Sequence, residues 1–138
     1  MTHRTVHVTE QAGLARLITV GPHRLIADEP APAGNDTGPD PIEVLLAALG
    51  ACTSMTVRMY AERHAWILRD VQVRLRLEQD GGPAVVREIF LDGDLDDAQR
   101  RRLMAVAQRC PVHRLLSAPP PLTTVQVEQP IVADVAGP

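Results

Sequence analysis

The sequence contains no lysine, and all 14 of its basic residues are arginine. Any site that needs a fixed positive charge must therefore use arginine, a protonated histidine or a helix N-terminus. Aromatic residues are also scarce, since the chain has only Tyr60, Trp66 and Phe90. Three rings are too few for a surface on which nucleic-acid bases stack. With a formal net charge of −3, this composition argues against a nucleic-acid partner.

Long apolar runs are absent as well. The longest nearly apolar stretch, residues 44–52, is far shorter than the roughly 20 residues that a membrane span needs. The N-terminus, Met-Thr-His-Arg-Thr-Val-His, lacks the apolar segment of a signal peptide. We therefore expect a cytoplasmic protein without a membrane partner.

Cysteine is limited to two residues, Cys52 and Cys110. In a cytoplasmic protein, two cysteines are more readily explained as reduced, catalytic or redox-active thiols than as a structural disulfide. The 138 residues suit one domain with a real hydrophobic core and are short for two. We expect a single domain over residues 1–138, with residues 130–138 as a loosely ordered tail.

The N-terminal third has the pattern of a small sheet. Residues 4–10 alternate polar and apolar side chains, and residues 15–20 and 23–27 follow, with Gly21 and Pro22 as a turn. This pattern predicts an antiparallel meander of three strands. Residues 28–39 are rich in proline and glycine, so we expect an extended surface loop there.

A long helix is predicted to begin after this loop. Asp40 is a good N-cap, Pro41 suits the first helical position, and Glu43 falls at the third. Nothing stops the helix before about residue 64. Because its first half is apolar all round, we expect burial on more than one side. A partner subunit is the simplest supplier of the second wall, so the pattern favours a homodimer.

The rest of the chain predicts a hairpin, a helix and a last strand. Residues 71–78 alternate cleanly and are joined to residues 85–91 by a glycine-rich turn. Residues 94–109 carry one apolar stripe of helical period, and Pro111 begins a new short helical turn. Residues 123–128 are predicted to be the last strand. This grouping of strands and helices indicates an α+β fold.

Each cysteine has a structural and a chemical interpretation. A cysteine in the middle of an apolar helix, like Cys52, is usually a small core residue, although Thr53, Ser54 and Thr56 add hydroxyl groups around it. Cys110 precedes Pro111, so we expect it at a helix N-cap, where the backbone N–H groups of Val112 and His113 would point towards its sulfur. Such surroundings lower the pKa of a thiol. A zinc site built on Cys110, His113 and Cys52 is a weaker alternative, because no fourth ligand is evident.

The chain resembles the OsmC-like branch of the OsmC/Ohr family over residues 5–128. An apolar helix with one cysteine, followed about 60 residues later by Cys-Pro-Val-His, is a specific signature. The residues that carry the resemblance are Asp28-Glu29-Pro30, Gly38-Pro39-Asp40-Pro41-Ile42-Glu43-Val44-Leu45-Leu46-Ala47-Ala48-Leu49-Gly50-Ala51-Cys52-Thr53 and Arg109-Cys110-Pro111-Val112-His113.

The resemblance implies an intertwined α+β homodimer with two active sites at the subunit interface. It implies that Cys52 attacks the terminal oxygen of an organic hydroperoxide, or of hydrogen peroxide, and becomes a sulfenic acid. Cys110 then resolves this sulfenic acid as a disulfide. A dithiol such as a dihydrolipoyl group restores the thiols, and no bound cofactor or metal is expected. Local capping alone would instead nominate Cys110 as the more acidic thiol.

The residues that should activate the thiol follow the family pattern less closely. The family's glutamate ten positions before the cysteine is Ile42 here, and Glu43 lies nine before Cys52. Nine residues of helix are half a turn out of phase, so Glu43 could act only across the dimer or serve as a capping residue. Arg16 is the expected arginine and Arg24 the fallback. We expect further substrate contacts from Leu49, Met55 and His113.

Two other functions stay open at this point. A cysteine acyl-transfer enzyme would use a cysteine with His113, but it needs an orienting third group and an oxyanion hole. A dimeric small-molecule binding or stress protein, with weak or no peroxidase activity, would leave the thiols incidental. The second alternative stays open because Ile42 stands where the family has its glutamate.

Overall fold

The computed structural model describes residues 3–132. Its elements in chain order are β1 His7–Glu10, β2 Arg16–Val20, β3 His23–Ala27, α1 Pro41–Arg63, β4 Ile67–Glu78, β5 Ala84–Asp94, α2 Asp97–Ala107 and α3 Pro111–Ser117. The chain forms two compact units, one from the residues up to Val44 together with those from Thr123 onward, the other from Leu45–Leu122. Two small sheets and three helices confirm the predicted α+β class.

The first unit is built on the predicted meander. Strands β1, β2 and β3 are antiparallel neighbours in that order. Gly21 forms the tight turn between β2 and β3 with a φ of +55°, a conformation that costs glycine little. β1 is shorter than predicted, because it begins at His7 rather than at residue 4.

The proline-rich loop is held by one buried carboxylate. Asp28 accepts hydrogen bonds from the backbone N–H groups of Glu29, Asn35 and Thr37 at 2.8, 3.3 and 3.1 Å, and from the Thr37 hydroxyl at 2.7 Å. Gly34 is needed here, since a Cβ would lie 2.2 Å from the Glu29 carbonyl oxygen. These hydrogen bonds, above all that from the Thr37 side chain, lower the pKa of Asp28. The loop is therefore ordered around Asp28.

Replacing Asp28 by asparagine should destabilise the protein at neutral pH, because the amide nitrogen would face N–H donors. The pKa of Asp28 is lower in the folded than in the unfolded protein, so its stabilisation is present above the unfolded value of about 3.9. It is lost as pH falls through the folded value. The melting temperatures of the two proteins, measured between pH 3 and 7, should approach each other at low pH. Asp80→Asn, in an exposed turn, is the control, and equal effects of both changes at pH 7 would refute the role of Asp28.

Helix α1 begins with the predicted cap. Asp40 accepts from the Glu43 N–H at 2.8 Å, and Glu43 accepts from the Asp40 N–H at 2.9 Å, which is a reciprocal capping box. Beyond the cap, the buried residues lie on one stripe at a spacing of four, with Gly50 beside it: Leu49, Gly50, Thr53, Val57 and Ala61. A Cβ at Gly50 would approach Leu75 Cδ1 to 2.7 Å, so Gly50 allows close packing on β4.

Residues 3–132 leave the other faces of α1 partly exposed. Leu45, Met55 and Met59 are 43%, 63% and 47% exposed, so the burial on several sides that the sequence predicts is absent from residues 3–132. By length and composition alone, α1 could cross a membrane. The buried helix of a water-soluble protein meets the same criterion, so this property does not indicate a membrane protein.

The second unit has a core between α1, the β4–β5 hairpin and α2. The hairpin is antiparallel and longer than predicted, with a bulge between Leu68 and Asp70. Helix α2 begins at Asp97, three residues later than the sequence predicts, with a capping box between the N-cap Asp96 and Gln99. The core cluster consists of Val57, Ala61, Leu68, Leu103 and Ala107.

The predicted last strand is wrong for the single chain. Residues 123–128 form no strand with any described residue, and Leu122, Val125 and Val127 are 93%, 76% and 55% exposed. An extended segment becomes a strand only when a neighbour accepts and donates its backbone hydrogen bonds. Of the predicted loose tail, Ile131 and Val132 have no regular structure, and residues 133–138 lie outside the described residues.

Candidate active site

The two cysteines, 58 positions apart in sequence, come together in the second unit. Cys52 lies on α1 and is half-buried, and Cys110 is fully buried; both are free thiols. They are close enough for Cys110 to raise the pKa of the Cys52 thiol. The fold thus places one partly accessible thiol close to one that solvent does not reach.

Cys110 occupies the N-cap of α3, as predicted, with Pro111 at the first helical position. The His113 N–H donates to Cys110 Sγ at 3.4 Å. The Val112 N–H, which the sequence also predicts to face Cys110, instead donates to the sulfur of Cys52. Two consecutive amides therefore serve two different thiols.

The described neighbours of Cys52 do not lower the pKa of its thiol. Burial raises the pKa of its thiol, and the proximity of Cys110 raises the pKa further. Hydrogen bonds from Val112 and Thr56 oppose this change without reversing it. Formation of the Cys52 thiolate therefore requires an additional favourable group.

A polar network surrounds Cys110 on its other side. The Arg87 guanidinium donates to Thr53 Oγ1 at 2.9 Å and to His113 Nδ1 at 3.1 Å. The Thr53 hydroxyl donates its only hydrogen to the Leu49 carbonyl at 2.7 Å. Thr53 Oγ1 lies 3.8 Å from Cys110 Sγ, and because its hydrogen is already donated to Leu49 it can only accept there.

The distinction between donors and acceptors also determines which ring nitrogen of His113 carries the proton. A guanidinium has no acceptor, so Nδ1 of His113 must accept from Arg87 and the ring proton lies on Nε2. The imidazole bonds to Arg87, and it is the backbone N–H of His113 that contacts Cys110. This arrangement does not place the ring as a base for Cys110, which counts against the acyl-transfer alternative.

Arg87 and Thr53 are site residues that the sequence reasoning missed. In the hairpin register Val71, Val73, Leu75 and Leu77 pair with Leu91, Ile89, Arg87 and Val85. Cross-strand partners share one face of a sheet, so Arg87 is the single charged residue in this otherwise apolar set. One charged residue among strand positions that are otherwise apolar was the signal in the sequence that could have identified Arg87.

A small cavity adjoins this network. Its volume is about 200 Å³, and it is lined by Leu49, Val85, Arg87, His113, Leu116 and Ser117. Leu49 and His113, both predicted to contact substrate, thus share one cavity wall. Met55, also predicted, is exposed on α1 and does not line it.

The other predicted site residues lie in the first unit. Arg16 bonds to the carbonyls of Gly13 and Ala15 at 3.2 and 3.0 Å and pairs with Glu10 at 3.6 Å. Arg24 is exposed on β3. The side chain of Glu43 caps α1. The roles of these residues towards Cys52 stay predictions.

Among residues 3–132, no group of three or more histidine, cysteine, aspartate or glutamate side chains is arranged to hold a metal ion.

Comparison with solved structures identifies the fold. An OsmC-like protein from Mycoplasma pneumoniae superposes with a TM-score of 0.74 at 16% identity, covering 86% of this chain and 89% of that chain. The organic hydroperoxide resistance protein OhrB of Bacillus subtilis superposes with a TM-score of 0.58 at 22% identity, covering 83% and 92%. An organic hydroperoxide resistance protein OsmC from Legionella pneumophila gives 0.60 at 18% identity, covering 84% and 91%.

Sequence comparison gives the family. No significantly similar sequence was found among curated proteins. The family model described as OsmC-like protein matches residues 34–125, a segment that includes α1, the hairpin and both cysteines. The chain therefore belongs to the OsmC-like protein family.

Proposed function

We propose that the protein is a thiol-dependent peroxidase that reduces organic hydroperoxides to alcohols, with Cys52 as the attacking and Cys110 as the resolving thiol. The observation that carries the proposal is the proximity of a half-buried and a fully buried free thiol. Membership of a family whose structural relatives include hydroperoxide resistance proteins supports it.

The reaction needs only the two sulfurs, the peroxide and a reductant. The Cys52 thiolate forms a bond to the terminal peroxide oxygen as the O–O bond breaks, and the departing alkoxide takes a proton to become an alcohol. Cys52 is left as a sulfenic acid. The sulfur of Cys110 then attacks the sulfur of Cys52, and hydroxide leaves with the Cys110 proton as water. A dithiol reduces the disulfide by two exchange steps.

The environment of Cys110 suits the resolving role. Its sulfur contacts Thr53 Oγ1 and accepts from the His113 N–H, which holds it in a fixed position. Its full burial excludes peroxide from it. The proximity to Cys52 gives the sulfenic acid a nearby thiol, which limits further oxidation.

Activation of Cys52 is proposed to depend on an arginine. Burial raises the pKa of Cys52; a cation beside the sulfur would lower this pKa, and Arg16 is our candidate. We also propose a cytoplasmic homodimer. The exposed apolar side chains of α1, Leu45, Met55 and Met59, and of the segment 122–127 form the kind of surface that a partner subunit covers.

The test is the thiol stoichiometry of the reduced, full-length protein after addition of one equivalent of cumene hydroperoxide. We expect loss of both free thiols, a mass decrease of about 2 Da from disulfide formation, and one equivalent of cumyl alcohol. The disulfide should be restored to thiols by dihydrolipoamide.

The matched control is Cys52→Ser, in which Cys110 should keep its free thiol under the same treatment. If the wild-type thiols stay unchanged while the protein remains folded, the peroxidase proposal is wrong. The alternative of a dimeric small-molecule binding protein would then be preferred.

A further inference from the structure

The Arg87 cavity, defined by Leu49, Val85, Arg87, His113, Leu116 and Ser117, contains a cation that has no counterion among residues 3–132. Arg87 is half-buried, and its two hydrogen-bond partners, Thr53 and His113, accept as neutral groups. Within residues 3–132, no carboxylate lies at ion-pair distance from its guanidinium. A charge that is partly removed from water and unpaired is unfavourable, and an anion beside it relieves this cost.

The neighbouring arginines of the same hairpin provide the contrast. Arg69 pairs with Asp92 and Asp94, and Arg74 pairs with Glu88 at 2.6 Å. These arginines point to solvent and still have carboxylate partners. Arg87 lies on the apolar face of the hairpin, opposite Leu75, and has a cavity of about 200 Å³ beside it instead.

We infer that this cavity binds the carboxylate of a small organic acid with an apolar tail. The guanidinium has five N–H groups and uses two of them in the contacts with Thr53 and His113. The Nε2–H of His113 and the hydroxyl of Ser117 are further donors for an anion. A carboxylate at this site would gain charge-assisted hydrogen bonds.

The other residues that line the cavity determine which tail the ligand can have. Leu49, Val85 and Leu116 are apolar and favour a hydrocarbon tail over a polyanion. A single fixed positive charge matches a monoanion. A group the size of water occupies about 30 Å³, so the cavity has room for about seven such groups. A six-carbon monocarboxylate therefore has a suitable size.

The test is binding of hexanoate and hexan-1-ol, followed by ¹H–¹⁵N NMR on the reduced, full-length protein. Hexanoate should shift the signals of the Arg87 Nε–H and of the His113 amide, and should bind at least about tenfold more tightly than the alcohol. This comparison uses the wild-type protein and two ligands that contain no peroxide bond. Its outcome is therefore distinguishable from failure of the peroxidase proposal.

Three variants locate the site. Arg87→Gln should weaken hexanoate binding at least about tenfold. Arg74→Gln removes the same charge from the exposed face of the hairpin and should leave binding unchanged. Thr53→Val breaks the bond between Thr53 and Arg87 but keeps the guanidinium, so hexanoate binding should persist.

Several results would overturn the inference. Equal affinity for hexanoate and hexan-1-ol would show that no carboxylate is recognised. The absence of shifts at Arg87 and His113 at tens of millimolar hexanoate would show that the cavity is not an anion site. Equal losses of affinity in Arg87→Gln and Arg74→Gln would show that the attraction is a general charge effect.

Discussion

A Cys52→Ser variant should consume organic hydroperoxide at least about a thousandfold more slowly than the wild-type protein with excess dihydrolipoamide. The hydroxyl of serine is a far weaker nucleophile than a thiolate at neutral pH. The fully buried Cys110 does not replace it, because peroxide does not reach its sulfur. The measurement is the initial rate of cumene hydroperoxide loss.

A Cys110→Ser variant should behave differently, and this difference separates the two roles. It should reduce one equivalent of peroxide and then accumulate a Cys52 sulfenic acid, seen as a mass increase of about 16 Da and trapped by dimedone. If Cys52→Ser forms the sulfenic acid and Cys110→Ser does not, the roles are exchanged. That result would favour the N-cap argument over the family pattern.

The largest expected effect on stability follows the change Leu103→Ala in α2. Leu103 is fully buried against Val57, Ala61 and Ala107. Its truncation should lower the free energy of unfolding by about 2–5 kcal/mol, from lost burial and from the cavity left behind. Urea unfolding at a fixed protein concentration measures this change, since an oligomer's stability depends on concentration.

The adjacent residue provides a matched control for Leu103. Met104 lies on the same helix and is 43% exposed. Met104→Ala makes a similar truncation with the same helix-forming product, and should cost less than about 1 kcal/mol. Similar losses from both changes would contradict the core that the structure defines.

Local sequence signals predicted the elements whose stability is local. The Asp40–Glu43 cap, the meander and the N-cap at Cys110 all appear where side-chain chemistry requires them. The proximity of Cys52 and Cys110 was implied by the family resemblance, because no short-range pattern joins residues 58 positions apart.

The parts that the sequence did not predict depend on long-range register or on a partner. Arg87 reaches Thr53 only because β5 pairs with β4 so that Arg87 lies opposite Leu75. The segment 123–128 has the alternation of a strand, but within the described chain no neighbour pairs with it. Periodicity identifies a segment that can form a strand, and it does not supply the second strand.

The consecutive backbone amides of Val112 and His113 donate to the two thiols. The Val112 amide donates to Cys52 and the His113 amide to Cys110, and Cys110 raises the pKa of Cys52. The pKa of Cys52 in the wild-type protein therefore includes the effect of Cys110. An inflection in the wild-type pH–rate profile will therefore describe the dithiol, and the intrinsic acidity of Cys52 is accessible only once Cys110 has been replaced.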